Sequence, residues 1–185
     1  MKKETEIKIK IDKRELPKIN KILNEKCKAT SKPKFFQRTY QFFSGDISCQ
    51  KIFPRIRCED KDTTTLTVKV KGEKKSKYFE RREHTIEISN LAEAIKILKI
   101  FGFGKMIIWE KIRYSYYIPK MAVEVNIDET PMGWFLEIEG AKQRIQEMVG
   151  LLGFDKRPKI NKAYLGLWED YKKENKIKKQ DMLFR

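Results

Sequence analysis

Near its start the chain reads Glu4-Thr5-Glu6-Ile7-Lys8. In an extended strand alternate side chains share a face, so Glu4, Glu6 and Lys8 point one way while Ile7, Ile9 and Ile11 point the other. If the ionic face meets water, this is an ordinary solvated strand. If it lines an enclosed space, the paired carboxylates converge on a hard cation, beside a lysine that can meet an anion.

The same period of two returns along the chain. Strands are predicted from Phe35 to Phe43, Phe53 to Cys58, Leu66 to Lys71, Phe79 to Ile88, Ile108 to Ile118, Met121 to Asp128 and Trp134 to Glu139. Helical spacing interrupts them. Asp12-Lys13-Arg14-Glu15 starts a segment with Leu16, Ile19, Ile22, Leu23 and Cys27 on one stripe, and Asn90 caps a helix that Gly102 stops. A third helix runs from Gly140 through Leu152, and a last one from about Asn161 to Lys172.

About eight strands thus carry one apolar and one ionic face, with few helices to cover them. The charges are sorted by strand. Arg55, Arg57, Lys69, Arg81, Lys111 and Arg113 make basic faces, whereas Glu4, Glu6, Glu137 and Glu139 make acidic ones. A sheet closed into a barrel would set a basic wall against an acidic one, with the apolar faces outward under the helices. Buried like charges are costly unless a polyanion and a metal neutralise them. On pattern alone the barrel and the solvated sheet both stay open.

The 185 residues fit one domain, taken as 1–172, with a basic mobile tail at 173–185. A net charge of +16 favours a polyanionic partner. The lysine runs at 71–77 and 172–179 read as solvated surface, and with no RNA-binding module present nucleic acid is not expected. No membrane span and no signal peptide are read, so the expected compartment is the cytoplasm. Cys27, Cys49 and Cys58 are expected as free thiols. His84 has the opposite parity from Glu83 and reads as structural or surface. Trp109, Trp134 and Trp168 read as packing.

Ordered pieces follow the opening motif: Arg38-Thr39-Tyr40, Arg55-Ile56-Arg57, Leu66-Thr67-Val68-Lys69, Arg81-Arg82-Glu83, Lys111-Ile112-Arg113, then Asp128, Gly133 and Phe135-Leu136-Glu137-Ile138-Glu139, and finally Lys162-Ala163-Tyr164. Over roughly residues 1 to 170 the chain resembles the CYTH superfamily, the triphosphate tunnel metalloenzymes, which includes class IV adenylate cyclases and thiamine triphosphatases. The resemblance implies an α+β, mainly β fold: an eight-stranded antiparallel closed barrel with a charged interior and helices outside. It implies Mg2+ or Mn2+ on Glu4, Glu6, Glu137 and Glu139. A triphosphate would sit on Lys8, Arg38, Arg55, Arg57, Lys69, Arg81, Lys111 and Arg113, with Glu83, Asp128 and Lys162 as catalytic groups. The expected substrate is ATP, tripolyphosphate or thiamine triphosphate, and homodimerisation stays open. Attack by water makes a triphosphatase, the favoured reading. Attack by a ribose 3'-hydroxyl makes an adenylate cyclase that releases pyrophosphate, the alternative. A non-catalytic binder of polyphosphate or RNA is a third reading.

Overall fold

The computed structural model describes residues 3–45, 52–60, 63–71 and 79–184, of which 3, 4, 71 and 79–82 are described by their backbone alone. Among the described residues nine strands form one antiparallel sheet: β1 (Lys3–Ile11), β2 (Thr30–Ser31), β3 (Phe35–Phe43), β4 (Ile52–Glu59), β5 (Thr63–Lys71), β6 (Phe79–Glu87), β7 (Lys105–Ile118), β8 (Val123–Thr130) and β9 (Gly133–Glu139). With them come α1 (Leu16–Lys21), α2 (Leu91–Ile100), α3 (Lys142–Leu152) and α4 (Tyr164–Asn175). This is the expected α+β, mainly β class.

The strands pair in the order β7-β3-β4-β5-β6-β1-β9-β8, and β8 pairs in turn with β7 from Ile112 to Ile118. Long β7 serves both neighbours. Its residues Lys105 to Arg113 lie against β3, while β8 joins the other edge only from Ile112 onward.

The apolar faces of the strands point outward, under helices. Ile7, Ile9 and Ile11 of β1 pack with Leu136 and Ile138 of β9 beneath Ile19, Leu23, Ile145 and Met148. Fully burying each such side chain is worth about 2 kcal/mol, so this face cannot be the solvated one. A second cluster joins Phe42 and Ile56 to Ala94 and Leu98 of α2. Helix α4 differs, because Tyr164 and Trp168 pack on Trp109 and Phe135, which share parity with the ionic side chains of β7 and β9.

The predicted first helix is broken into three. A 3-10 turn at Lys13–Glu15 is fixed by a capping box between Asp12 and Glu15, Pro17 lies in the first turn of α1, and one π turn follows at Ile22–Lys26. The buried stripe of Ile19, Ile22 and Leu23 survives these changes.

The expected mobile tail needs a larger correction. Helix α4 continues to Asn175, and the residues after it return to the sheet. Met182 is fully buried and bridges to Trp109 in parallel, on the β7 edge that β8 does not reach. Cys27 and Cys58 carry free thiols, whereas Cys49 and the lysine-rich loop at 72–77 lie outside the described residues. Among the described residues no helix is long and apolar enough to cross a membrane.

Candidate active site

The ionic faces of the strands line a cavity of about 610 Å3. Among the described residues its lining carries eight lysines and arginines and five glutamates. Register explains how distant motifs meet. Across β1 and β9, Glu6 stands opposite Glu139 and Lys8 opposite Glu137; across β9 and β8, Glu139 stands opposite Glu124. Across β5 and β6, Lys69 faces Glu83.

One end of the cavity holds a buried ionic network. The Lys8 ammonium lies 2.7 Å from Glu6 Oε1 and 2.8 Å from Glu137 Oε1. Burial opposes its charge, but Glu137 and Glu6 outweigh that and hold the amine above its ordinary range. Arg113 donates to both Asp128 oxygens at 2.7 Å and also to Glu137. Lys111 donates to Asp128 Oδ2 at 2.9 Å, and the Tyr164 hydroxyl donates to the same oxygen at 2.7 Å. The ring of Tyr164 lies under Lys8 and Lys111, 5.3 and 5.1 Å from their nitrogens.

Burial of Asp128 and Glu137 would raise their pKa values. Arg113 and Lys111 hold Asp128 below the ordinary range instead, and Lys8, Arg113 and Lys111 do the same for Glu137. For Lys111, burial and then the charge of Arg113 prevail over both carboxylates, and its pKa falls to about 7.

The neighbouring wall is basic. Glu83 accepts from Lys69 and lies 3.4 Å from Arg55. Arg57 has a buried Nε with no hydrogen-bond partner among the described residues, and the Thr39 hydroxyl and Trp109 Nε1 share that condition. Burial, with Arg55 and Arg113 adding repulsion, lowers Arg57 to about 9. A buried guanidinium whose desolvation and like-charged neighbours outweigh its carboxylate neighbours costs stability, and an anion reduces that cost.

Most of the predicted positions therefore converge. Lys8, Arg55, Arg57, Lys69, Lys111, Arg113, Glu6, Glu83, Glu137 and Glu139 all line the cavity. Glu4 and Arg81 are register partners across β1 and β6, and their side chains lie outside the described residues. Three assignments change. Arg38 points to the opposite face of β3, half exposed, and forms a forked pair with Glu110. Lys162 pairs with Asp170 on the surface. Asp128 is fully buried and already accepts from three side chains, which makes it the group that holds Lys111, Arg113 and Tyr164 in place.

The sequence reading did not single out Glu124, which shares parity with Asn126 and Asp128 and stands opposite Glu139 across β8 and β9. It also missed the cavity-facing side of α4, where Leu165, Glu169 and Lys172 recur at helical spacing.

Among the described residues no three carboxylates lie close enough together to hold a metal ion. The donor set still suits a hard cation. Glu6, Glu139 and Glu124 stand side by side on three adjacent strands, and carboxylate oxygens are the ligands a hard divalent cation prefers.

Comparison with known proteins agrees with this architecture. The PH1819 protein from Pyrococcus horikoshii OT3 superposes with a TM-score of 0.74 at 22% identity, covering 91% of this chain and 99% of its own. A candidate adenylate cyclase from Vibrio parahaemolyticus gives 0.71 at 14% identity, covering 90% of this chain and 97% of its own. HpAC1 from Hippeastrum, a candidate adenylyl cyclase with a dominant triphosphatase activity, gives 0.60 at 14% identity, covering 92% and 96%. At these identities the likeness is one of fold. No curated protein matches the sequence. The family model of the CYTH domain matches residues 2–151, which is most of the chain and includes every strand of the sheet. The chain belongs to the CYTH domain family.

Proposed function

We infer that this chain is a divalent-metal-dependent triphosphatase, with the paired strands acting as a closed eight-stranded tunnel for a triphosphate. The pairing of β8 with β7 supports the closed tunnel. The observation that carries the substrate class is Arg57: a buried guanidinium with an unpartnered Nε, beside Arg55 and Arg113, on a wall with more cations than carboxylates. Linked phosphates supply the charge and the acceptors that this wall lacks.

Phosphoryl transfer asks a protein mainly for positioning and charge neutralisation. Arg55, Arg57 and Lys69 bind and align the phosphate chain, and arginine's planar fork suits paired phosphate oxygens. Arg81 is assigned to the same phosphate chain by its sequence motif alone. Arg113 and Lys111 are held by Asp128 and Glu137, so they present fixed donors at the inner end. Glu6 and Glu139, with Glu4 and Glu137, would hold Mg2+ or Mn2+, which supplies Lewis-acid neutralisation of the phosphoryl oxygens. Glu83, between Lys69 and Arg55, is the carboxylate placed to orient a nucleophile once phosphates draw those cations away.

The test is a panel of tripolyphosphate, ATP and thiamine triphosphate with Mg2+ or Mn2+, scoring phosphate release against cyclic AMP. Phosphate release that is lost in excess chelator and in Glu6→Gln with Glu139→Gln is the expected result. Cyclic AMP with pyrophosphate would replace the reading with the cyclase. Binding that survives chelation and gives no product would make the chain a non-catalytic polyphosphate binder.

A further inference from the structure

The C-terminal segment lies outside the matched residues 2–151, yet it builds part of the cavity. Tyr164, Leu165, Glu169 and Lys172 of α4 and Gln180 beyond it all line the space. What holds this wall is the β7 edge that β8 leaves open. Met182 N donates to Ile108 O at 3.0 Å, Glu110 N donates to Met182 O at 2.9 Å, and Ile108 N donates to the Asp181 carboxylate at 2.8 Å. Trp168 Nε1 donates to Gln180 O at 2.8 Å, which ties the segment to α4.

At the centre of this seam is a charge with no role in the phosphate site. Glu110 is 4% exposed, on the β7 face opposite to Lys111. Its Oε1 accepts from Arg38 Nε and Nη2 at 2.8 and 2.6 Å, and its Oε2 accepts from the backbone N–H of Phe184 at 3.0 Å. One carboxylate thus joins β3, β7 and the C-terminal segment. A buried carboxylate needs a cation, and Arg38 provides it from the half-exposed face.

We propose that Arg38 and Glu110 are positioning residues, a clamp that seats Asp181 to Phe184 on the open edge of β7 and so keeps Gln180 and α4 as a wall of the triphosphate cavity. The link to a triphosphate rests on the function inferred above; the clamp itself rests on the hydrogen bonds alone. Arg38 therefore acts on binding through the C-terminal segment, without touching substrate.

The test uses the full chain with Arg38→Ala, Glu110→Gln and the two combined, and reads tryptophan emission beside steady-state kinetics on tripolyphosphate. Arg38→Ala strands a buried carboxylate, which loosens the segment. Emission should then move to the red, because Trp109 and Trp168 pack on Met182. KM should rise about fivefold with kcat within about twofold of the parent. Adding Glu110→Gln to Arg38→Ala should restore both readouts, since an amide oxygen still accepts from Phe184 N–H and needs no cation. If Arg38 touched substrate, the double variant would stay as weak as Arg38→Ala and emission would not move; that result overturns the clamp. A shifted emission with unchanged KM overturns the claim that the segment is a wall of the site. If the parent turns over no triphosphate while emission still shifts and recovers, the function inferred above falls and the clamp stands.

Discussion

Lys8 and Glu137 meet across β1 and β9 with 2.8 Å between ammonium and carboxylate, both almost fully buried. The lysine of the opening motif is therefore the internal counter-ion of the acidic strands. Replacing it by Met keeps the volume and removes the cation between Glu6 and Glu137. Breaking a buried pair by removing one partner costs about 3 kcal/mol, and urea unfolding of Lys8→Met should show a loss of that order. A loss below about 0.5 kcal/mol would mean that the pair is solvated, since exposed pairs contribute that little.

Arg57 should behave in the opposite way. Its pKa of about 9 lies below the ordinary value because the ligand-free fold disfavours its charge, first through burial and then through Arg55 and Arg113. That cost is present at every pH below about 9. Arg57→Met should therefore leave the ligand-free protein as stable as the parent or raise its Tm by about 3 °C, corresponding to roughly 1 kcal/mol. Affinity for tripolyphosphate should fall by about tenfold or more, because hydrogen bonds from a guanidinium to phosphate are charge-assisted. The two measurements are thermal melting and calorimetric titration, and a destabilised variant with intact affinity would show that Arg57 is a structural group.

Asp128 gives a prediction that separates a holding role from a catalytic one. Its folded pKa lies below the unfolded value: burial alone would raise it, but Arg113 and Lys111 prevail. Its stabilisation is therefore complete above about pH 4, the unfolded carboxylate's range, and is lost as pH falls further toward the folded pKa. Asp128→Asn should cost about 3 kcal/mol at neutral pH and flatten the acid limb of the stability curve. Tyr164→Phe, which removes only the phenol hydrogen bond, should cost about 1 kcal/mol. A stable Asp128→Asn protein with kcat reduced by orders of magnitude would return Asp128 to the role of general base.

Parity made much of this site readable in the sequence. Glu6, Lys8, Glu137 and Glu139 alternate with isoleucines and leucine, so their sharing of a face follows from period two alone. Which face was inside could not be read locally, because it depends on β8 reaching β7 and on the helices that cover Ile7 and Ile9. Arg38 failed for a physical reason that parity does record. It alternates with Gln37, Thr39 and Gln41, the positions in register with cavity residues, and shares a face with Phe36 and Phe42. Its residue type suggested phosphate while its position turns it to the other face of β3, toward Glu110. The C-terminal segment was hidden by composition. The lysines from Lys172 to Lys179 suggested a solvated end, but Met182 packs it on Trp109 and Trp168, and backbone and side-chain hydrogen bonds from Gln180 to Phe184 hold it there. In Tyr164 the apolar stripe of α4 concealed a phenol that reaches Asp128.

Lys111 should make triphosphate binding consume protons. Burial and Arg113 bring its pKa to about 7, so near pH 8 the amine of the ligand-free protein is mostly neutral, and near pH 6 it is mostly charged. A bound polyanion favours the ammonium form, so binding at pH 8 should take up close to one proton and binding at pH 6 close to none. Calorimetry in two buffers of different ionisation enthalpy reads this number directly. The same shift acts on stability. An unfolded lysine keeps its proton to about pH 10.4, so between about 7 and 10.4 the unfolded chain holds the extra proton and the ligand-free fold gains stability with rising pH, by up to about 1.4 kcal/mol per unit from this group. Lys111→Met should abolish the proton uptake and flatten that rise. Equal uptake by the parent at pH 6 and pH 8 would show that Lys111 stays charged in the empty cavity, with Asp128 and Glu137 outweighing its burial.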